Sequence, residues 1–211
     1  MIIVLTGGIG SGKSQVCRIL AEKYGFHIYE ADSKVKDLYH DHPTLLDDIE
    51  SSLGKSFKGN DGVFQPSLLS KVIFSDEAAL ETVESIVFPV LKEDFADWMA
   101  DIHDGLPIVF ESATVLEKPY FDSFGDITVL VNAPYSLRLE RAVRRDGDKN
   151  RVESRMAHQI LMNRLSDGYH DDRIDYVIDN SGQIEELESK INDFVSKIGY
   201  NINVTHRQQR C

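Results

Sequence analysis

Short apolar runs alternate along this chain with longer segments in which apolar residues recur every three or four positions. The first run, residues 2–5, is rich in β-branched residues and predicts a strand buried on both faces. A glycine-rich turn follows, and then residues 16–24 carry an apolar helix face that ends at Gly25. Residues 26–29 predict a second strand, so the chain opens with a strand–helix–strand unit and a right-handed parallel crossover.

The second half of the chain repeats this alternation. Further apolar runs predict strands at residues 107–110, 127–131 and 176–178. Amphipathic segments predict helices at residues 134–145, 151–167 and 184–195. The fold class predicted from this order is α/β, with a parallel sheet flanked by helices.

A mostly helical segment, residues 31–105, separates the second strand from the third. Apolar residues recur there at helical spacing, at Val87, Leu91, Phe95 and Trp98. Pro89, within this stripe, predicts a helix start or a kink. The stripe is either ordinary core packing or one wall of a substrate cleft, and the pattern leaves both interpretations open.

Composition excludes several classes of protein. The chain has 211 residues, 42% of them apolar and 27% charged, which is typical of one globular domain. Its formal net charge of −12 makes general binding to nucleic acid or to an anionic membrane unfavourable. Local clusters of donors must therefore hold any anionic ligand.

Cysteine usage and the absence of a targeting pattern favour a cytoplasmic protein. The two cysteines, Cys17 and Cys211, suggest neither a disulfide framework nor a metal site. The apolar start of the chain lacks a basic leader, and no run approaches the roughly 20 apolar residues that span a bilayer. Nothing in the sequence indicates an obligatory protein partner.

Residues 7–14 read GGIGSGKS and match the phosphate-binding pattern GxxxxGK[ST] without a mismatch. Glycines let backbone N–H groups curl around phosphate oxygens, and the helix that follows points its positive end at the same anion. Lys13 can follow the transferring phosphoryl group, and the Ser14 hydroxyl can bind Mg²⁺. The predicted residues for binding a nucleoside triphosphate here are Gly8, Gly10, Ser11, Gly12, Lys13, Ser14 and Gln15.

Two carboxylates, Glu30 and Asp32, follow the second predicted strand. Ligands of open parallel sheets sit beyond the carboxyl ends of the strands. Either side chain could accept a proton from an attacking hydroxyl or help hold Mg²⁺ through water. Asp32 could equally be a helix N-cap, and spacing alone does not decide between these roles.

Arg138, Arg141 and Arg145 recur at helical spacing and share one helix face. Lys149, Arg151 and Arg155 extend this basic patch beyond the Asp146-Gly147 turn. The patch is either a solvated, salt-bridged face or an anion clamp that closes over ATP and hinges at that turn.

Taken together, these segments resemble the dephospho-coenzyme A kinase family. The resemblance runs in order over about residues 2–195. Its motifs are the segment from Leu5 to Ser14, Glu30-Ala31-Asp32 in place of Asp-Ala-Asp, the lid entry from Arg141 to Gly147, Arg155 with Gln159 as Arg-x-x-x-Gln, and the last strand and turn from Asp175 to Gly182.

The resemblance implies phosphorylation of the ribose 3′-hydroxyl of dephospho-CoA by ATP and Mg²⁺, the final step of coenzyme A synthesis. It implies Asp32 as the base, with Lys13 and Arg141 as the other catalytic residues. It places Arg141 and Asn180 near the adenine and ribose of ATP, and Arg145 with them in the nucleotide site. The implied organisation is a core at about 1–30 and 106–200, an acceptor lobe at about 31–105, a lid at about 145–158, and a polar tail at 201–211.

Some positions depart from the family pattern. Phe88-Pro89 stands where His-Pro is usual, and Glu117 matches the glutamate of a Pro-Leu-Leu-Phe-Glu segment only loosely. One alternative is another small-molecule kinase, acting on a nucleoside monophosphate or a sugar-like acid. A second is a nucleotide-binding regulator, although the guanine-reading Asn-Lys-x-Asp of GTPases is absent from the sequence.

Overall fold

Five strands form one sheet in a computed structural model that describes residues 1–200. They are β1 (Ile2–Thr6), β2 (His27–Glu30), β3 (Ile108–Glu111), β4 (Ile127–Asn132) and β5 (Tyr176–Asp179), in the spatial order β2-β3-β1-β4-β5. β1 pairs in parallel with β3 and β4, and β4 pairs in parallel with β5. The predicted α/β fold is confirmed; the predicted tail at 201–211, with Cys211, lies outside the described residues.

The helices of residues 1–200 account for most of the rest of the chain. They are α1 (Lys13–Tyr24), α2 (Ala31–Asp41), α3 (Leu45–Leu53), α4 (Pro66–Ile73), α5 (Glu77–Ala100), α6 (Tyr135–Asp146), α7 (Lys149–Ala157), α8 (Ile160–Ser166) and α9 (Ile184–Lys197). Two 3₁₀ turns, Val115–Glu117 and Pro119–Phe121, follow β3. No helix among these residues is both long and apolar enough to cross a bilayer.

The structure corrects one sequence-based prediction about helices and narrows another. Pro89 lies inside α5, so it does not start a helix, and a kink there stays a prediction. The prediction of a single helix over 151–167 was wrong: the segment forms two helices, because the helical conformation is interrupted at His158 and Gln159. At this interruption the Met156 carbonyl accepts from the Gln159 N–H at 3.0 Å and from the Asn163 side chain at 2.8 Å.

Contacts divide the chain into two compact units. One unit contains residues 1–29 and 106–200 and holds almost the whole sheet. The other is Glu30–Gly105 and contains α2 to α5. The helical unit is therefore an insertion between two neighbouring strands, β2 and β3.

Helices α1 and α9 cover one face of the sheet. Ile3 and Leu5 of β1 are fully buried there with Leu20 of α1 and Ile191 of α9. On β3, the Phe110 ring meets other aromatic rings, stacking on Tyr29 at 5.5 Å and meeting Phe124 edge-on at 4.6 Å. A central strand buried in this way is a rigid support for the loop that follows its carboxyl end.

The inserted unit is organised around α5. Val87, Leu91 and Phe95 of the apolar stripe are buried, and α5 packs mainly against α3 and α4. Tyr39 of α2 packs against Phe64 at 5.2 Å, and burial raises the pKa of its hydroxyl to about 12. The stripe is therefore core packing of the insertion.

Candidate active site

The loop between β1 and α1 has the backbone conformation expected of a phosphate-binding loop. Gly10 and Gly12 have φ values of 78° and 97°, in the left-handed region that glycine tolerates. The helix starts immediately afterwards, so the N–H groups of Lys13 and Ser14 have no acceptor within the helix. These groups and the positive helix end form an anion site.

Atoms of Arg138 and Asn180 occupy the space that a Cβ atom would need at three glycines of the loop. A Cβ at Gly8 would overlap the guanidinium of Arg138, and one at Gly10 would overlap the Arg138 carbonyl. A Cβ at Gly12 would overlap the carboxamide of Asn180. The glycine pattern is thus required by packing behind the loop as well as by phosphate in front of it.

Two side chains clamp the peptide groups of Ile9, the third residue of the motif. The Ile9 N–H donates to Oε1 of Gln159 at 2.7 Å, and the Ile9 carbonyl accepts from Nε of Arg138 at 3.0 Å. Gln159 occupies the break between α7 and α8 and is buried. The family-like Gln159 therefore supports the phosphate loop, a role that spacing alone did not indicate.

Arg138 does not belong to a solvated basic face, because its side chain is only 1% exposed. Besides the Ile9 carbonyl, its guanidinium donates to the Met162 carbonyl at 3.2 Å, the Ser166 hydroxyl at 2.6 Å and Gln159 Oε1 at 3.5 Å. Burial lowers the pKa of Arg138, but a guanidinium remains protonated in proteins. A permanent positive charge is therefore enclosed behind the loop.

Asn180 joins the end of β5 to the loop. Its side-chain amide donates to the Ser11 carbonyl at 2.8 Å, and its own carbonyl accepts from Arg141 at 2.9 Å. The preceding residue, Asp179, accepts from Lys190 at 2.6 Å. Burial raises the pKa of Asp179, but hydrogen bonds, first of all the one from Lys190, lower it by a larger amount. The net pKa is therefore below its usual range.

Lys13 points back into the loop and reaches a carboxylate. Its ammonium donates to the Gly7 carbonyl at 3.0 Å and lies 3.3 Å from Oε1 of Glu111. The two side chains are only 12% and 10% exposed, which protects the ion pair from screening. Glu111 was missed in the sequence, although an acidic residue that ends a buried apolar strand is a detectable signal.

The residues around the loop fit Mg²⁺. Ser14 is exposed in the first turn of α1, and the Glu111 carboxylate supplies a second hard oxygen near Lys13. Residues 1–200 contain no cluster of three or more His, Cys, Asp or Glu side chains that could hold a metal alone. Mg²⁺ at nucleotide sites takes only one or two ligands from the protein and the rest from phosphates and water. The predicted Gln15 accepts from Arg18 at 3.1 Å and remains a prediction as a nucleotide contact.

The turn between α6 and α7 holds Arg145. Arg145 forms two hydrogen bonds to Asp146, at 2.6 and 3.0 Å, and Arg155 reaches the same carboxylate at 3.1 Å. The hydrogen bond from Arg145 is the largest cause that lowers the pKa of Asp146. Gly147, with φ of 78°, ends α6. The three arginines of the predicted basic patch therefore have different environments. Arg138 is buried, Arg141 donates to the Asn180 carbonyl, and Arg145 is paired with Asp146.

Asp32 belongs to the inserted unit and is exposed. Helix α2 begins at Ala31, and Glu30 occupies the N-cap position without a side-chain cap bond. Asp32 therefore lies inside the first turn, and its interpretation as the N-cap was wrong. A carboxylate there is favoured by the helix dipole and remains open to a substrate.

Glu117 ends the first 3₁₀ turn and lies beside the start of α8. Burial raises the pKa of Glu117. Hydrogen bonds from the Leu161 and Met162 N–H groups lower it by a smaller amount, so the net pKa is above its usual range. Its buried Oε1 has no hydrogen-bond partner within residues 1–200.

Comparisons with known proteins agree on one family. Residues 1–186 match the family model described as dephospho-CoA kinase. The dephospho-CoA kinase of Fusobacterium nucleatum is 32% identical over 94% of this chain and 98% of its own length. That of Porphyromonas gingivalis is 38% identical over 69% of this chain and 70% of its own.

Solved structures show the same fold. TT1252 from Thermus thermophilus has a TM-score of 0.77 at 23% identity, covering 93% of this chain and 97% of its own. The dephospho-CoA kinase from Campylobacter jejuni has a TM-score of 0.61 at 19% identity, covering 93% and 96%.

Proposed function

The chain belongs to the dephospho-CoA kinase family, and on that premise we propose that it transfers the γ-phosphoryl group of ATP to the ribose 3′-hydroxyl of dephospho-CoA. The products are coenzyme A and ADP, and the reaction is the final step of coenzyme A biosynthesis. The observation that carries the proposal is the formed phosphate loop, with Lys13 held between Gly7 and Glu111 at the start of α1.

The loop binds the phosphates of ATP. The N–H groups of Lys13 and Ser14 point to the anion site, and Lys13 contributes a positive charge that can move with the transferred group. Arg141 and Asn180, joined by their hydrogen bond, hold the adenine and ribose side of the nucleotide. Arg145 completes the nucleotide site from the lid at about 145–158.

Ser14 and Glu111 would hold Mg²⁺ together with the ATP phosphates. When bound, the ion neutralises charge that develops on the phosphoryl oxygens. Around it, Gln159, Arg138 and Asn180 fix the loop backbone, so that its donors are in position before the substrate arrives.

The acceptor site is assigned to the inserted unit, at about residues 31–105. Asp32 accepts the proton of the attacking 3′-hydroxyl while that oxygen forms its bond to the γ-phosphorus and the bond from the γ-phosphorus to the bridging oxygen breaks, releasing ADP. This role is supported by the exposure of its carboxylate and by its place in the family-like Glu30-Ala31-Asp32 segment. We place the reaction in the cytoplasm, without a nucleic acid, membrane or obligatory protein partner.

A coupled ADP-release assay tests the reaction. The protein is incubated with ATP and Mg²⁺ and with dephospho-CoA, AMP, CMP or shikimate in turn. Turnover with dephospho-CoA alone, yielding a product that CoA-dependent enzymes accept, is expected. Turnover with another acceptor would favour a different small-molecule kinase, and nucleotide binding without turnover would favour a regulator.

Asp32→Asn tests the catalytic base. A general base contributes roughly 10²–10⁴-fold, so kcat is expected to fall within that range while the Kd of ATP stays close to that of the unsubstituted protein. Asp37→Asn is a matched control, since Asp37 is also exposed on α2. A loss of kcat below about tenfold for Asp32→Asn would remove Asp32 from the catalytic role.

A further inference from the structure

Arg138 carries a buried charge that forms no ion pair with a carboxylate in the described part of the chain. All four of its hydrogen-bond acceptors are neutral oxygens, belonging to Ile9, Met162, Ser166 and Gln159. Tyr135 and Asp167 interact with it electrostatically at longer range, but Arg138 forms no ion pair within residues 1–200. Buried arginines are usually paired, because a desolvated charge is costly.

The guanidinium of Arg138 lies directly against the loop. Its terminal nitrogen occupies the space in which a Gly8 side chain would begin, and its Nε holds the Ile9 carbonyl. The Ile9 N–H is taken by Gln159 on the same side. The charge therefore lies against the Gly8-Ile9 backbone of the loop, whose later N–H groups, those of Lys13 and Ser14, have no acceptor within α1.

We propose that the polyphosphate chain of the bound nucleotide is the counter-ion of Arg138, acting across the loop without touching it. Arg138 then has a positioning and electrostatic role: it fixes Ile9 and adds a second positive charge behind the anion site, besides Lys13. In a site shielded from water by the loop and α8, attraction between unlike charges is weakly screened. The inference rests on the proposed function, because it requires a nucleoside polyphosphate in the loop.

A purely structural role for Arg138 makes a different prediction. If Arg138 only connects α6, α8 and the loop, its substitution would lower the stability of the protein and would weaken the binding of all three nucleotides equally. A counter-ion effect must grow with the number of phosphates, since each phosphate adds negative charge close to Arg138. It also disappears when the charge is cancelled while the hydrogen bonds remain.

Two substitutions separate charge from scaffolding. Arg138→Gln removes the charge. Gln159→Glu retains an acceptor for the Ile9 N–H, and it places a carboxylate where an oxygen already lies 3.5 Å from Arg138 Nη2. Arg144→Gln is the matched control, because Arg144 lies on the same helix, loses the same charge and is exposed with only an i,i+4 ion pair to Glu140.

Calorimetric titrations with AMP, ADP and ATP provide the readout, with the melting temperature of each ligand-free protein measured alongside. For both Arg138→Gln and Gln159→Glu, the Kd of ATP is expected to rise about tenfold, that of ADP somewhat less and that of AMP less than about twofold. The ligand-free Gln159→Glu protein is expected to melt at or above the unsubstituted temperature, because a buried cation gains a partner.

Equal losses for the three nucleotides, or an unchanged Kd of ATP in Gln159→Glu, would overturn the counter-ion role and leave the proposed kinase function intact. If Arg138→Gln fails to fold, Gln159→Glu alone decides between these outcomes. If the unsubstituted protein binds none of the nucleotides, the proposed function fails and this inference fails with it.

Discussion

Asn180→Asp is an almost isosteric change that tests how β5 supports the phosphate loop. The Asn180 amide donates to the Ser11 carbonyl at 2.8 Å, and the residue is 7% exposed. An ionised carboxylate in its place has no proton to donate and faces the carbonyl oxygen at the same distance. The substitution therefore replaces a hydrogen bond with repulsion without creating a cavity.

The magnitude follows from two contributions. Leaving the buried Ser11 carbonyl without its donor costs about 1–3 kcal/mol. A buried carboxylate without a partner raises the total to about 3–5 kcal/mol. For a chain of this length, that lowers the melting temperature by roughly 10 °C. Asn180→Ala removes the donor alone and is expected to cost less than Asn180→Asp.

The pH dependence gives a second check on the same variant. Burial beside a carbonyl raises the pKa of the introduced carboxyl above its value in the unfolded chain. Folding then favours the protonated form, which can donate to Ser11. The loss of stability is therefore largest near neutral pH and shrinks as the pH falls toward about 4.

Differential scanning calorimetry of Asn180→Asp, Asn180→Ala and the unsubstituted protein at several pH values measures both effects. Asn192→Asp is the matched control, since Asn192 is exposed on α9 and its oxygen accepts from the Tyr24 hydroxyl, as a carboxylate also can. A loss below about 1 kcal/mol for Asn180→Asp at neutral pH, or one independent of pH, would refute the reasoning.

Two further predictions concern Arg141 and Glu117. Arg141→Ala is expected to raise the KM for ATP about tenfold, because Arg141 links α6 to the Asn180 turn; a change in melting temperature alone would show that it is only structural. Burial raises the pKa of Glu117, so its ionisation on folding is disfavoured and its contribution to stability falls as the pH rises through the folded-state pKa. Glu117→Gln should therefore gain stability relative to the unsubstituted protein as the pH rises above the unfolded-state pKa of about 4, and parallel pH profiles in calorimetry would contradict this.

Much of the fold could be predicted from local patterns. Buried parallel strands appear as continuous apolar runs, and the glycine motif combines chemistry and conformation in eight consecutive residues. The break at His158 and Gln159 could not be predicted in the same way, because no glycine or proline marks it. It exists because Gln159 turns toward Ile9, which is 150 positions earlier.

The contacts that hold the phosphate loop in place could not be predicted from the sequence for a related reason. The helical spacing of Arg138, Arg141 and Arg145 correctly places them near one another along α6, yet each meets a different environment. Arg138 contacts Ile9 across 129 positions, and Lys13, which follows β1, meets Glu111 at the end of the neighbouring strand β3. Periodicity gives the direction of a side chain relative to its own element, whereas its partner depends on which elements pack together.

The close approach of Gly8 and Arg138 has a consequence for the mutational history of the loop. Alanine at position 8 would have to displace the guanidinium that now fills the space of its Cβ atom. A shorter side chain at position 138 would vacate that space, so the effect of one substitution depends on the presence of the other. The two positions are therefore expected to show epistasis: alanine at position 8 should cost less stability when position 138 carries a shorter side chain.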